Sequence, residues 1–68
     1  MNRDLTVNGE PRRFAGVADV AALVVALGLD GRKVAVERNL EIVPRSAYGL
    51  TALENGDRIE IVHFIGGG

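Results

Sequence analysis

The chain begins with an alternation. In Arg3-Asp4-Leu5-Thr6-Val7, Leu5 and Val7 share one face, which predicts a half-buried strand. Asn8-Gly9 follows, and both residue types accept positive φ, so the pair predicts a two-residue hairpin with Glu10 to Ala15 as the returning strand. Pro11 lacks an N–H and suits the first residues of that strand or an unpaired edge, while Phe14 is assigned to the core. Gly16-Val17-Ala18 is a short crossing. Beyond it, Val20, Leu23, Val24 and Leu27 recur at helical spacing. Asp19 stands before them as an N-cap, and Gly28 with Leu29 supplies the stop and the hydrophobic contact past it. The opposite helix face, Ala21, Ala22, Val25 and Ala26, carries no charge; it reads either as small helix formers or as a contact surface.

After a turn at Asp30-Gly31-Arg32, the pattern predicts a short strand over Val34-Ala35-Val36 and a turn at Arg38-Asn39. Another strand follows from Leu40 to Val43, ended by Pro44. Ser46-Ala47-Tyr48-Gly49 is long enough only for a helical turn, and Leu53 to Asp57 reads as a turn with Gly56 left-handed. Arg58 to Ile65 is the clearest strand. Ile59 and Ile61 should point at the helix, with Arg58, Glu60, Val62 and Phe64 on the other face. Val62 and Phe64 are then exposed unless a loop around Tyr48 covers them. A hairpin, a helix across it and further strands predict an α+β fold. It is a mixed sheet of about five strands packed on one main helix plus a short helical turn, the β-grasp arrangement. Its last strand lies centrally, beside and parallel to the first. The expected organisation is a single domain over residues 1–65 and a flexible glycine tail over 66–68.

Composition narrows the chemistry. With 68 residues and no cysteine, neither a disulfide nor a zinc–thiolate site can staple the fold, so aliphatic packing must hold it. Eight Lys/Arg against nine Asp/Glu give a net charge of −1 and no basic field for nucleic acid. No apolar run suits a membrane span or a secretory leader, so the expected location is the cytoplasm. His63 is the sole histidine, so no Ser/His/Asp or two-histidine metal constellation can form; it reads as a partly covered surface residue. No catalytic residue and no bound metal or cofactor is expected.

What remains is the terminal Gly66-Gly67-Gly68. A loose end or linker remnant would also look like this. Glycine, however, makes a thin segment that can thread a narrow channel, and three residues reach on the order of 10 Å. The Gly68 carboxylate would thereby enter a partner's active site, where adenylation and displacement by sulfur would give a thiocarboxylate.

Several segments together resemble the ThiS-type sulfur carriers of thiamin biosynthesis, in the ubiquitin-like β-grasp family. They are Val7-Asn8-Gly9-Glu10, Val20 to Leu23 with Leu27-Gly28-Leu29, Val34 to Asn39, Ile42-Val43-Pro44-Arg45, Gly56 to Ile61 and Phe64 to Gly68. The small subunit of molybdopterin synthase shares the Gly-Asp turn and diglycine end, but typically carries Pro-Pro-Val-Ser/Thr-Gly-Gly where this chain has His63 to Gly68. A non-covalent β-grasp binding module and a lysine-conjugated modifier would also fit a small body of this kind. The resemblance implies a carrier rather than an enzyme. A ubiquitin-activating-type adenylyltransferase (ThiF-like) would use ATP and Mg to adenylate Gly68. Sulfur would come from cysteine through a cysteine desulfurase, and a thiazole synthase (ThiG-like) would take the sulfur into the thiazole ring. Gly66 and Gly67 would thread; two glycines are the usual minimum, so Gly66 could equally be a spacer. Val62, Phe64, Ile65 and Arg45 are the candidate docking residues.

Overall fold

The computed structural model describes residues 1–64. β1 (Asn2–Val7) and β2 (Glu10–Ala15) pair antiparallel from Asn2↔Ala15 to Val7↔Glu10. The turn between them has φ of 50° at Asn8 and 83° at Gly9, as a hairpin of this length requires. β2 lies at the sheet edge, where Pro11 removes no ladder bond that the fold needs. α1 (Val20–Ala26) starts where the Asp19 carboxylate accepts from the Ala22 N–H at 2.8 Å. It stops in a left-handed Gly28, whose N–H donates to the Val25 carbonyl while that of Leu29 donates to Val24. These two bonds make a Schellman motif and satisfy carbonyls the helix end would otherwise orphan.

β3 (Val34–Arg38), β4 (Glu41–Val43) and β5 (Arg58–His63) complete a five-stranded sheet in the order β2-β1-β5-β3-β4. β5 is central and parallel to β1, as expected, and it pairs antiparallel with β3 on its other side. Leu5, Val7, Phe14, Val34, Val36, Ile59 and Ile61 are buried together with Val20, Leu23 and Val24 of α1, forming one aliphatic core. Ala21 and Ala22 are half-buried against that core, so the uncharged exposed face of the helix reduces to Val25 and Ala26.

The structure corrects the third and fourth strands. β3 runs on to Arg38, because its pairing with β5 continues to Arg38↔Ile59. The turn is therefore Asn39-Leu40, with φ of 52° and 70°, and Leu40 belongs to the turn rather than to β4. The segments around Asp30 and Tyr48 are 3-10 turns, Gly31–Lys33 and Arg45–Leu50, the first capped by the Asp30 carboxylate on the Arg32 N–H. The boundary expected between 65 and 66 lies outside the described residues.

Two side-chain devices hold β5 in place. Asn8 acts as an extra rung beyond the end of β1: the Ile61 N–H donates to its Oδ1 at 2.7 Å, and its Nδ2 donates to the Ile61 carbonyl at 3.2 Å. On the other side, Asp57 is 5% exposed. Its carboxylate accepts from Arg38 Nε (2.7 Å), from Asn39 Nδ2 (3.1 Å) and from the Glu54 N–H (2.8 Å). Asn39 in turn brackets Arg58, accepting from its N–H and donating to its carbonyl. Burial pushes the Asp57 carboxyl up, but the Arg38 guanidinium and the Glu54 and Asn39 amides together outweigh it and hold the pKa below its usual value.

The linkage therefore has one sign. The folded carboxyl titrates below the unfolded value of about 3.9, so its contribution is complete above that pH and is lost as pH falls toward the folded value. Asp57→Asn should cost on the order of 3 kcal/mol at pH 7, because Arg38 keeps a poorly compensated charge. Its stability should also fall less steeply than that of the unsubstituted chain between about pH 5 and pH 3. Urea unfolding across that range checks both. At Leu40, exposed and left-handed, relief of backbone strain makes Leu40→Gly neutral or stabilising by up to about 1 kcal/mol. The β-branched Leu40→Val should destabilise by a similar amount, and thermal melts of the pair separate the two signs.

Candidate functional site

β5 sorts its side chains by parity. Ile59 and Ile61 face the helix, and Arg58, Glu60, Val62 and then Phe64 lie on the open side. Val62 is 63% exposed and Phe64 56% exposed, an apolar pair immediately before the end of the described chain. Ala35 lies directly opposite Val62, and Glu37 lies opposite Glu60. The open face thus turns from charged to apolar toward the glycines. Like charges facing each other across two strands oppose pairing; Arg58, 3.9 Å from Glu60, offsets part of that repulsion.

Tyr48 does not cover the pair. It is buried on the helix side, its hydroxyl donating to the Val34 carbonyl at 3.1 Å and its ring packed against Gly31. Arg45 is exposed, and its guanidinium donates to the Arg32 carbonyl at 3.0 Å. The next carbonyl, that of Lys33, accepts the Phe64 N–H at 2.9 Å. Consecutive residues of one 3-10 turn thereby bring Arg45 and Phe64 to the same end of the molecule as Val62. Ile65, Gly66, Gly67 and Gly68 lie outside the described residues.

His63 is exposed rather than partly covered. It borders a recess floored by Val7, Leu27, Leu29 and Ile61. Among the described residues, no group of three or more His, Asp or Glu side chains could hold a metal ion. No helix among them is long and apolar enough to cross a membrane. Sequence reasoning missed the Asp57 cluster and the Asn8 rung. The available signal was that Asn8 and Asn39 both stand at turns flanking the central strand, where an amide can substitute for a backbone rung.

A β-grasp body whose central strand runs toward three glycines invites comparison with known proteins. The model of the ThiS family matches residues 5–68. The chain belongs to the ThiS family. It is 37% identical over 65 residues to the sulfur carrier protein ThiS of Bacillus subtilis, covering 94% of this chain and 98% of that one. The crystal structure of the thiamine biosynthesis protein ThiS from Geobacter metallireducens superposes with a TM-score of 0.81 at 39% identity, covering both chains completely. A thiazole synthase of Paramagnetospirillum magneticum is 59% identical over 64 residues, which are 94% of this chain and 20% of the synthase. The chain therefore spans about a fifth of that relative's length.

Because Val62 and Phe64 contribute little to the core, Val62→Asp and Phe64→Asp should each change unfolding free energy by no more than about 0.5 kcal/mol. Chemical denaturation of each variant checks that these side chains are free for another role.

Proposed function

We propose that the chain is a sulfur carrier of thiamin biosynthesis that works through the Gly68 carboxyl and has no catalytic site of its own. The observation that carries this reading is the family match running through Gly68, joined to a central strand that leads toward it with an exposed apolar pair alongside. In the cycle, a carboxylate oxygen of Gly68 attacks the α-phosphorus of ATP on a ThiF-like adenylyltransferase, and pyrophosphate leaves. A persulfide formed from cysteine on a desulfurase then attacks the acyl carbon and AMP leaves; a thiol cleaves the resulting acyl disulfide, taking the other sulfur into a disulfide, and the carrier ends as a thiocarboxylate. A ThiG-like thiazole synthase receives it for ring formation. ATP and Mg belong to the activating enzyme, and this chemistry fits a cytoplasmic setting. An unhindered glycine carbonyl suits both displacements, and Gly66 and Gly67 are thin enough to thread.

Val62, Phe64, Ile65 and Arg45 form the docking surface in this reading, apolar with a cationic margin. Family membership favours the thiamin-type carrier over the small subunit of molybdopterin synthase.

Incubation with the adenylyltransferase, MgATP and a sulfur donor should raise the intact mass by the replacement of one oxygen with sulfur. Deleting Gly67-Gly68 should abolish the gain and leave the fold intact. A module that binds without covalent chemistry would show partner binding that survives the deletion and no mass gain in the full chain, and that result would overturn the carrier reading. Phe64→Asp should weaken binding to both the adenylyltransferase and the thiazole synthase by titration; unchanged affinity would remove Phe64 from the docking surface.

A further inference from the structure

The end of β5 has two edges, and they are not alike. The edge toward β3 is paired throughout, with Ala35↔Val62 followed by the Phe64 N–H on the Lys33 carbonyl at 2.9 Å. The edge toward β1 loses its neighbour, because β1 stops at Val7. The Asn8 side chain supplies one further rung by exchanging two hydrogen bonds with the backbone of Ile61. The next backbone groups on this edge are the N–H and C=O of His63, which by strand parity point away from β3. Among the described residues neither has a hydrogen-bond partner. Under that edge, on the helix side, lies a recess lined by Val7, Leu27, Leu29 and Ile61 together with the polar Asn8, Glu10, Arg12 and His63. An unpaired strand edge beside a recess with an apolar part is a template for another chain.

We propose that an extended segment of the thiazole synthase adds to β5 at His63 as a further strand and inserts an apolar side chain into the recess. The inference rests on the reading that Gly68 is delivered to that enzyme. Gly68 lies four residues beyond Phe64, a reach of at most about 14 Å, so a protein enclosing Gly68 must lie against this end of the sheet. β3 occupies one edge of the strand, which among the described residues leaves His63 as the place where the partner's main chain can meet it. The choice of partner follows from the thiazole synthase in which a stretch 59% identical to this chain makes up about a fifth of one polypeptide. Strand addition draws affinity from main-chain hydrogen bonds and selectivity from the pocket that takes alternate side chains.

The test is amide hydrogen exchange of the full chain, free and mixed with its cognate thiazole synthase, together with titration of His63→Pro and His63→Ala. Proline at 63 removes the open-edge donor and no bond to β3. The His63 N–H should exchange fast in the free chain and at least about tenfold more slowly in the complex. His63→Pro should bind about tenfold more weakly, the equivalent of one or two main-chain hydrogen bonds, and His63→Ala within about twofold of the unsubstituted chain. A complex that leaves His63 exchange unchanged overturns the inference, whether or not the proline variant folds. So does a folded His63→Pro chain of undiminished affinity, or a loss as large in His63→Ala. Absence of any complex also overturns it, while the thiocarboxylate mass measurement independently decides whether the chain is a carrier.

Discussion

The fold depends on docking β5 between two strands that precede it by long stretches of chain. Its parallel register with β1 covers only Thr6↔Arg58 and Val7↔Ile59. Two aligned pairs are a thin seam for contacts some fifty residues apart, and loop closure must be offset before they contribute. The remedy is to let asparagine side chains act as backbone. Asn8 extends the seam to Ile61, and Asn39 clamps Arg58 from the β3 side. Both residues sit at positive φ, a region that asparagine tolerates better than most side chains. The same two residues thus turn their hairpins and fasten the central strand. Once β5 is seated, Ile59 and Ile61 close the core under α1.

The buried charge at Asp57 complements this arrangement. A lone carboxylate so little exposed would be costly, but every contact it makes is with a donor that also needs fixing. Arg38 ends β3, Asn39 forms the following turn, and Glu54 begins the turn into β5. One carboxylate therefore sets the geometry of two loops and the entry point of the last strand. The left-handed Gly56 immediately before it lets the chain reverse at that point.

What the sequence made legible was local. The Asn8-Gly9 hairpin, the Asp19 cap, the Gly28 stop and the Gly56 turn each arise from residues within a few positions of one another. The alternation in β5 also revealed that Val62 and Phe64 face away from the core, since parity needs no tertiary information. The Arg38–Asp57 pair spans nineteen positions and the Asn8–Ile61 rungs fifty-three, and composition places no marker on such partners. Leu40 misled for a different reason. An apolar residue before Glu41-Ile42-Val43 looks like strand, whereas the hairpin geometry set by Asn39 placed it at positive φ. The open edge at His63 was invisible for the same reason as the Asn8 rung, being defined by where a distant strand stops.

In the proposed carrier reading, these features let so small a body present a reactive terminus. Side chains on an exposed sheet face contribute little to the core, so Val62 and Phe64 can be apolar and solvent-facing without weakening it. Rigidity still matters, because a partner that reads both the face and Gly68 gains only if the two are held in fixed relation. The Lys33–Phe64 hydrogen bond carries sheet order to the last residue described, so orientation is preserved almost to the glycines. The Gly31–Lys33 turn that accepts this bond also holds Arg45, and it is itself capped by Asp30, whose carboxyl Arg32 holds down at about 2. The ordering of the end that carries Val62 and Phe64 therefore uses none of the bonds of the Asp57 cluster at the opposite end of the sheet. A substitution at the Val62 and Phe64 end leaves the clamp that makes the fold intact.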